Sequence, residues 1–293
     1  MYFLTELEHK LLVNKLLPTA REVKVSPELR GWAWHQSPMK PYYDVKLPMY
    51  SVCSKYCPTA RDIYVNQVLG VKPTLNFKVS LGKILHGVVS DSIQTFMRGE
   101  NIEFEEWWSK IRWEGLVGDR RLFKARARDV WNFVTTLCRA KYAQALSQQP
   151  YASRQDLIAS ALPFLIEHKV SGELLGMSGI LSPDCYDYLR CIMFDLKVGA
   201  QPEEWHRLYP VGYALVMESI YEIPIDICCV VYLNFVDGKI SVRKDLFFAS
   251  DNLRSWWVEE RDKKMEIVAL EKDPGLPKEC PEDCMFLKYC RGE

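Results

Sequence analysis

The chain has 293 residues, 48% of them apolar, with 38 Lys plus Arg balanced by 38 Asp plus Glu. This composition supports a substantial core and excludes a disordered chain, and the balanced charge means that any nucleic-acid contact rests on local patches. The opening residues Met1 to Glu8 lack a basic segment followed by an apolar run, and no stretch of about 18 apolar residues occurs, so neither a secretory signal nor a membrane span is expected and the expected compartment is the cytoplasm.

In chain order, Leu4, Leu7, Leu11, Leu12 and Leu16 recur at helical spacing, which predicts a first helix from Met1 to about Leu17, ended by Pro18. From Ser26 to Tyr50 four prolines break regular structure, and Trp32, Trp34, Tyr42 and Tyr43 supply surface by which this stretch must wrap on something else. Pro58 suits a helix start, with the helix running through Val68 and ending at Gly70. Ser80 is the expected cap of a helix from Leu81 to Arg98, with Ile84, Leu85, Val88, Ser92 and Phe96 as its buried stripe. Residues 103–148 read as a helical block: a short helix marked by Phe104, Trp107, Trp108 and Ile111, then a long one from about Asp119 to Ser147. Arg120, Arg121, Lys124, Arg126 and Arg128 crowd the start of the long helix, as either a solvated face or a phosphate-tracking patch.

A strand is expected over Ala161–Val170, and a hairpin next, from Gly176–Asp184 into Cys191–Lys197. A helix follows from Glu204 to Tyr221, in which Pro210 marks a kink or the true start. The nearly continuous apolar run Ile227–Phe235 suits a buried strand, Asp237-Gly238 a tight turn, and Ile240–Phe248 its return strand, before a last helix over Ser250–Leu270. The order predicts a mixed α/β protein: a mainly helical region over 1–160, a core over 161–250, and a C-terminal helix with a cysteine cluster over 251–293, all in one continuous unit.

Two stretches carry chemistry. In the hairpin, period two puts Asp195 and Lys197 on one sheet face, and a turn centred on Leu189-Arg190 brings Asp184 opposite Asp195. Two carboxylates this close repel, a divalent cation relieves them, and a lysine beside them suits a developing charge on phosphate; the plain alternative is two hairpin-end aspartates and a solvated lysine. In the tail, Cys280, Cys284 and Cys290 fall within eleven residues. With ten cysteines and no export signal, thiolate chemistry or buried thiols are expected before disulfides, disulfides being the alternative in a hyperthermophile. Four thiolates complete a zinc or iron–sulfur centre, so the fourth comes from elsewhere, Cys57 or alternatively Cys53. Cys185, Cys191, Cys228 and Cys229 read as buried thiols.

Tyr56-Cys57-Pro58-Thr59-Ala60-Arg61-Asp62, Leu175-Gly176-Met177-Ser178 with Leu181 and Asp184, Phe194 to Gly199, Tyr213-Ala214-Leu215 with Glu218, and the tail cysteines come in a specific order spanning nearly the whole chain. Together they resemble the CRISPR-associated RecB-like iron–sulfur exonuclease family, in its archaeal type I-A variant. The resemblance implies a restriction-endonuclease-like PD-(D/E)xK core. In it His86 matches the metal-binding histidine, Asp184 the first aspartate, Asp195 the second acidic position, Lys197 the lysine and Tyr213 the tyrosine of a Gln-x-x-x-Tyr motif. Tyr209 stands where the family has glutamine, and Gly179 and Ile180 lie further back from Asp184 than the common form has them, which keeps Asp187 as an alternative ligand. Apart from the resemblance, His86 reads as a helix histidine buried between Leu85 and Val89. Cys57, Cys280, Cys284 and Cys290 match the cluster ligands, with a 4Fe–4S cluster expected ahead of 2Fe–2S.

The expected activity is that of a metal-dependent deoxyribonuclease, exonuclease before endonuclease. Mn²⁺ or Mg²⁺ would be held by His86, Asp184, Asp195 and the Leu196 carbonyl, the nitrogen ligand favouring Mn²⁺. The expected role is processing DNA ends for CRISPR spacer acquisition, with DNA and the integrase proteins as partners. The alternatives are a catalytically weak DNA-binding scaffold of the integration complex, supported by the departure at Tyr209, and a zinc-stabilised binding module without a nuclease core.

Overall fold

The computed structural model describes residues 1–282 and 284–292. Its first helix is built from three joined pieces. Thr5 and Glu8 form a reciprocal capping box, with Thr5 N–H donating to Glu8 Oε2 at 2.7 Å, at the head of α1 (Glu6–Leu11). The helix does not stop at Pro18. A π-helical turn over Leu12–Leu16 leads into α2 (Leu17–Val23), whose first turn holds Pro18. After two 3₁₀ turns, Pro27–Leu29 and Gly31–Ala33, comes the short α3 (Met49–Cys53). The next helix, α4 (Arg61–Ile63), continues as a π turn over Tyr64–Val68 and starts at Arg61, not at Pro58, because Ala60 takes a left-handed conformation with φ +60°.

Helix α5 (Phe77–Arg98) starts four residues before the expected Leu81. Asn76 is its cap, accepting from the Val79 N–H at 2.9 Å; Ser80 lies inside the helix, and its hydroxyl accepts from the Val117 N–H at 2.9 Å. Helices α6 (Phe104–Ser109) and α7 (Arg120–Gln148, capped by Asp119) follow, as the periodicity predicts. A further helix that periodicity did not mark, α8 (Arg154–Ala161), is capped by Ser153. The basic cluster of α7 is largely engaged: Lys124 and Arg128 pair with Glu105 of α6, Arg120 lies over the Trp113 ring and Arg126 over Phe235. It therefore ties neighbouring elements together rather than presenting a bare phosphate track.

Among the described residues five strands form one sheet in sequence order: β1 (Phe164–Ile166), β2 (Cys185–Asp187), β3 (Ile192–Val198), β4 (Ile227–Val236) and β5 (Lys239–Phe248). All neighbours are antiparallel except β3 and β4, which run parallel. The β3–β4 crossover passes through a 3₁₀ turn over Glu204–Arg207 and α9 (Leu208–Tyr221), so Pro210 sits in a first turn and marks the true start of α9. The chain closes with α10 (Asp251–Ala269) and α11 (Leu287–Arg291). The expected strand over Ala161–Val170 shrinks to β1, since Ala161 completes α8 and Glu167 turns to φ +48°. The expected strand over Gly176–Asp184 is a loop holding two isolated bridges, Leu47 to Met177 and Val170 to Leu181, because a 3₁₀ turn at Glu173–Leu175 bends the chain just before it.

The sheet is covered on both faces. Phe194, Leu196, Cys229 and Val231 pack with α5 and α7 on one side; Met193, Cys228, Val230 and Tyr232 pack with α3, α9 and α10 on the other. Gly212 lets α9 approach closely, since a Cβ there would collide with the Trp257 indole and the Met49 sulfur. The Pro-rich stretch 26–50 does wrap on something: Arg261 of α10 donates to the Met39 carbonyl at 2.6 Å, and the Gly31 N–H donates to Glu218 of α9 at 2.9 Å. Glu218 is fully buried and also takes Arg254 at 2.8 Å and Arg30 at 2.9 Å, so it is a structural anchor of α9 and no part of the cleft.

Candidate active site

Strand register builds the site. Cys185 pairs with Phe194, so the next pair outward is Asp184 with Asp195, as a turn centred on Leu189-Arg190 requires. Asp184 Oδ2 accepts from the Leu196 N–H at 2.6 Å, which holds its carboxylate against β3. Helix α5 lies across this end of the sheet, and its His86 reaches the other oxygen, with Nδ1 3.3 Å from Asp184 Oδ1. His86 therefore faces a carboxylate and not the apolar space between Leu85 and Val89. Lys197, two residues beyond Asp195 on the same face, places Nζ 2.9 Å from Asp195 Oδ2.

The electrostatics follow from burial. Asp195 is 4% exposed, and its carboxyl is pushed up to about 6 by that burial and by Asp184, against the pull of Lys197. Its Oδ2 is buried without a well-formed hydrogen bond: the Lys197 ammonium is near enough to pair in charge but is not aligned to donate. For Asp184 burial pushes upward too, but His86, the Leu196 N–H and Lys197 outweigh it and hold the carboxyl below its ordinary range. Burial lowers the His86 imidazolium, and the Asp184 charge and hydrogen bond more than restore it, leaving it raised.

These side chains line a cleft of about 960 Å³, which Tyr213 of α9 and the Glu167 turn also border, together with Cys57, Cys284 and Phe286. Further groups line it that the sequence patterns did not assign to the site. Tyr209 lies under Lys197, with the ammonium 3.2 Å from the ring centroid. Trp205 stands edge-on to Tyr56, with centroids 5.0 Å apart. Lys83 lies one turn before His86 on α5. The one sequence signal for Tyr209 is its place four residues before Tyr213. Asp187 is at the far end of β2, where it accepts from the Leu189 and Arg190 N–H groups at 3.1 and 3.0 Å; it closes the hairpin turn and is not an alternative ligand at this site.

The cysteines separate by location. Cys53 is fully buried in the α9–α10 core, and burial drives its thiol up to about 12. Cys185, Cys228 and Cys229 are likewise buried, whereas Cys191 is half-buried at a left-handed turn. Cys57, Cys280, Cys284 and Cys290 are half-buried. Burial raises the Cys284 thiol, and Cys57, Asp62 and Cys290 are close enough to raise it further by charge. Arg61 donates to the Cys290 sulfur at 3.4 Å, and the Thr74 N–H bonds to the Met285 carbonyl at 2.9 Å, pinning the tail beside α4 and α5. Among the described residues no three His, Cys, Asp or Glu side chains are gathered closely enough to grip a metal ion as they stand. The donor chemistry nevertheless fits both groups: a buried carboxylate oxygen without a hydrogen bond beside a second carboxylate and an imidazole, and four half-buried thiols, three in the tail and Cys57 from the N-terminal half near Cys284.

Fold and site together define a mixed α/β protein with an acidic, lysine-flanked cleft at one end of its sheet. The model of the CRISPR-associated exonuclease Csa1 family matches residues 1–293, and the chain belongs to that family of CRISPR-linked nucleases. It is similar to a CRISPR-associated exonuclease Csa1 of Thermoproteus tenax, at 29% identity over 288 residues, covering 98% of this chain and 99% of that one. A second relative of the same description, from Saccharolobus solfataricus, is 29% identical over 301 residues, with the same coverage of 98% and 99%. No solved structure matches the chain significantly. No helix among the described residues is long and apolar enough to cross a membrane.

Proposed function

We propose that this chain is a metal-dependent deoxyribonuclease with a PD-(D/E)xK core, processing DNA ends for CRISPR spacer acquisition beside the integrase proteins. The observation that carries the reading is the meeting of Asp184 and Asp195 across β2 and β3, with Lys197 alongside and the buried Asp195 Oδ2 left without a hydrogen bond. Two buried carboxylates beside one ammonium leave an excess of negative charge that a divalent cation would offset, an arrangement that favours the nuclease over a scaffold. The family's description as an exonuclease supports the same reading.

His86, Asp184, Asp195 and the Leu196 carbonyl would hold Mn²⁺ or Mg²⁺. When bound, such an ion polarises a phosphate oxygen and lowers the pKa of an attacking water. Lys197 presents its ammonium from the Asp195 side, where it orients that water or meets charge developing on the phosphate. Tyr213 borders the same space from α9. Lys83 adds a cation on α5 where a strand's phosphates would pass. Cys57, Cys280, Cys284 and Cys290 would hold an iron–sulfur cluster, 4Fe–4S ahead of 2Fe–2S. That centre would join the C-terminal tail to the N-terminal half across more than 200 residues of chain, and is structural in effect.

The deciding experiment incubates anaerobically purified protein with end-labelled single- and double-stranded DNA in Mn²⁺, Mg²⁺ or EDTA, beside folded Asp195→Ala and Lys197→Ala proteins. Metal-dependent cleavage lost in both variants supports the nuclease. Absence of cleavage by the unaltered protein, or equal cleavage by all three, sinks it and leaves a DNA-binding subunit of the integration complex.

A further inference from the structure

Lys197 is held from two sides. On one is Asp195 Oδ2 at 2.9 Å; on the other is the face of Tyr209, with Nζ 3.2 Å from the ring centroid. At that distance the ammonium rests against the π face, where the ring quadrupole attracts a cation. The contact is largely desolvated, since Tyr209 is 8% exposed. Tyr209 is itself fixed. It occupies the first turn of α9 next to Pro210, and Trp205 abuts it with centroids 6.3 Å apart.

A lysine side chain has four rotatable bonds and loses much freedom when held in one place. Asp195 by itself does not hold it tightly, because the contact is not aligned as a hydrogen bond. The aromatic face supplies a second fixed point without consuming a donor on a lone pair. The ammonium's remaining N–H groups are thus left for the cleft.

We infer that Tyr209 is a positioning residue: its ring clamps the Lys197 ammonium beside Asp195 in the geometry needed to meet a phosphate or its attacking water. What Lys197 then does rests on the nuclease reading; that the ring holds it does not. The role belongs to the ring and not to the hydroxyl, so phenylalanine preserves it and an aliphatic side chain of similar bulk does not.

The test compares the full-length protein with Tyr209→Phe and Tyr209→Leu. Acetylation of Lys197 by limiting acetic anhydride is counted by mass spectrometry of its peptide, and cleavage of labelled DNA is followed in parallel. In Tyr209→Leu, labelling of Lys197 rises and kcat falls, each by about threefold to thirtyfold, with DNA affinity unchanged. In Tyr209→Phe both stay within about twofold of the unaltered protein, as expected when the ring is kept. Should Tyr209→Leu melt below the assay temperature, Tyr209→Met takes its place. Unchanged labelling in the aliphatic variant, or an equal rise in Tyr209→Phe, overturns the clamp. A protein that labels as expected but never cleaves DNA loses the nuclease reading and keeps the clamp. One that cleaves while its aliphatic variant labels normally keeps the nuclease and loses the clamp.

Discussion

His86 Nδ1 lies 3.3 Å from Asp184 Oδ1, joining the middle of a 22-residue helix to the lip of a three-residue strand. The strand is too short to hold its own end in place, so the helix side chain and the Leu196 N–H on the other oxygen position Asp184 together. His86→Ala removes one of these supports and a nitrogen donor. Mn²⁺ affinity measured by calorimetry is expected to fall roughly 10- to 100-fold, with the circular dichroism spectrum unchanged. Unaltered affinity would remove His86 from the proposed ligand set.

The cysteine assignment makes a differential prediction. Cys284→Ala is expected to lose iron, visible colour and solubility together, because the tail is no longer pinned beside α4. Cys53→Ser touches only the buried α9–α10 core and is expected to keep its iron while melting at a lower temperature. Iron analysis of the two anaerobically purified proteins decides it. A full iron complement in Cys284→Ala, with an unchanged melting temperature, would count against a cluster there, and a colourless protein containing zinc would point to a different centre.

Glu218 links pH to stability. Burial raises its carboxyl, but Arg254 and the Gly31 and Ile225 N–H groups outweigh burial and hold it below its ordinary value of 4.5. A carboxylate with a lowered folded pKa binds protons less readily in the native state than in the unfolded one. Its contribution is therefore complete above about pH 4.5 and disappears as pH falls through the lower folded value. Glu218→Gln leaves the fully buried Arg254 with only the more distant Asp226, at 3.6 Å, as its counter-charge and is expected to cost about 3–5 kcal/mol at neutral pH. Its thermal midpoint should also fall less between pH 5 and pH 3 than that of the unaltered protein, a window taken as roughly one to two pH units around the carboxylate. Parallel acid melts of the two proteins would refute this if their slopes coincide.

Gly212 tests how far the site depends on the seating of α9. A Cβ there meets the Trp257 indole and the Met49 sulfur, both in the packed core. Gly212→Ala is expected to cost about 1–3 kcal/mol in a denaturant titration and to lower cleavage by shifting Tyr209 and Tyr213, which lie on the same helix. Full stability in this variant would show that the helix adjusts freely.

Local chemistry determined much of what the sequence displayed. Period two put Asp195 beside Lys197, the Leu189-Arg190 turn set Asp184 opposite, and the nearly continuous apolar run Ile227–Phe235 announced a strand covered on both faces. These features depend on residues near one another in the chain, so their spacing carries them. Helix starts were misread where a neighbouring residue competed for the cap: Asn76 displaced Ser80, and the left-handed Ala60 delayed the helix expected at Pro58. What sequence could not supply was distance between segments far apart in the chain. Asp187 stood as a weaker alternative to Asp184, and only the register put it at the wrong end of β2. Cys53 looked nearly as suitable as Cys57, and only packing sank it into the core. The ring of Tyr209 reached Lys197 because the β3–α9–β4 crossover folds the first turn of α9 back over β3. A periodic pattern records which face a side chain takes, but only closure of the chain in three dimensions decides what that face meets.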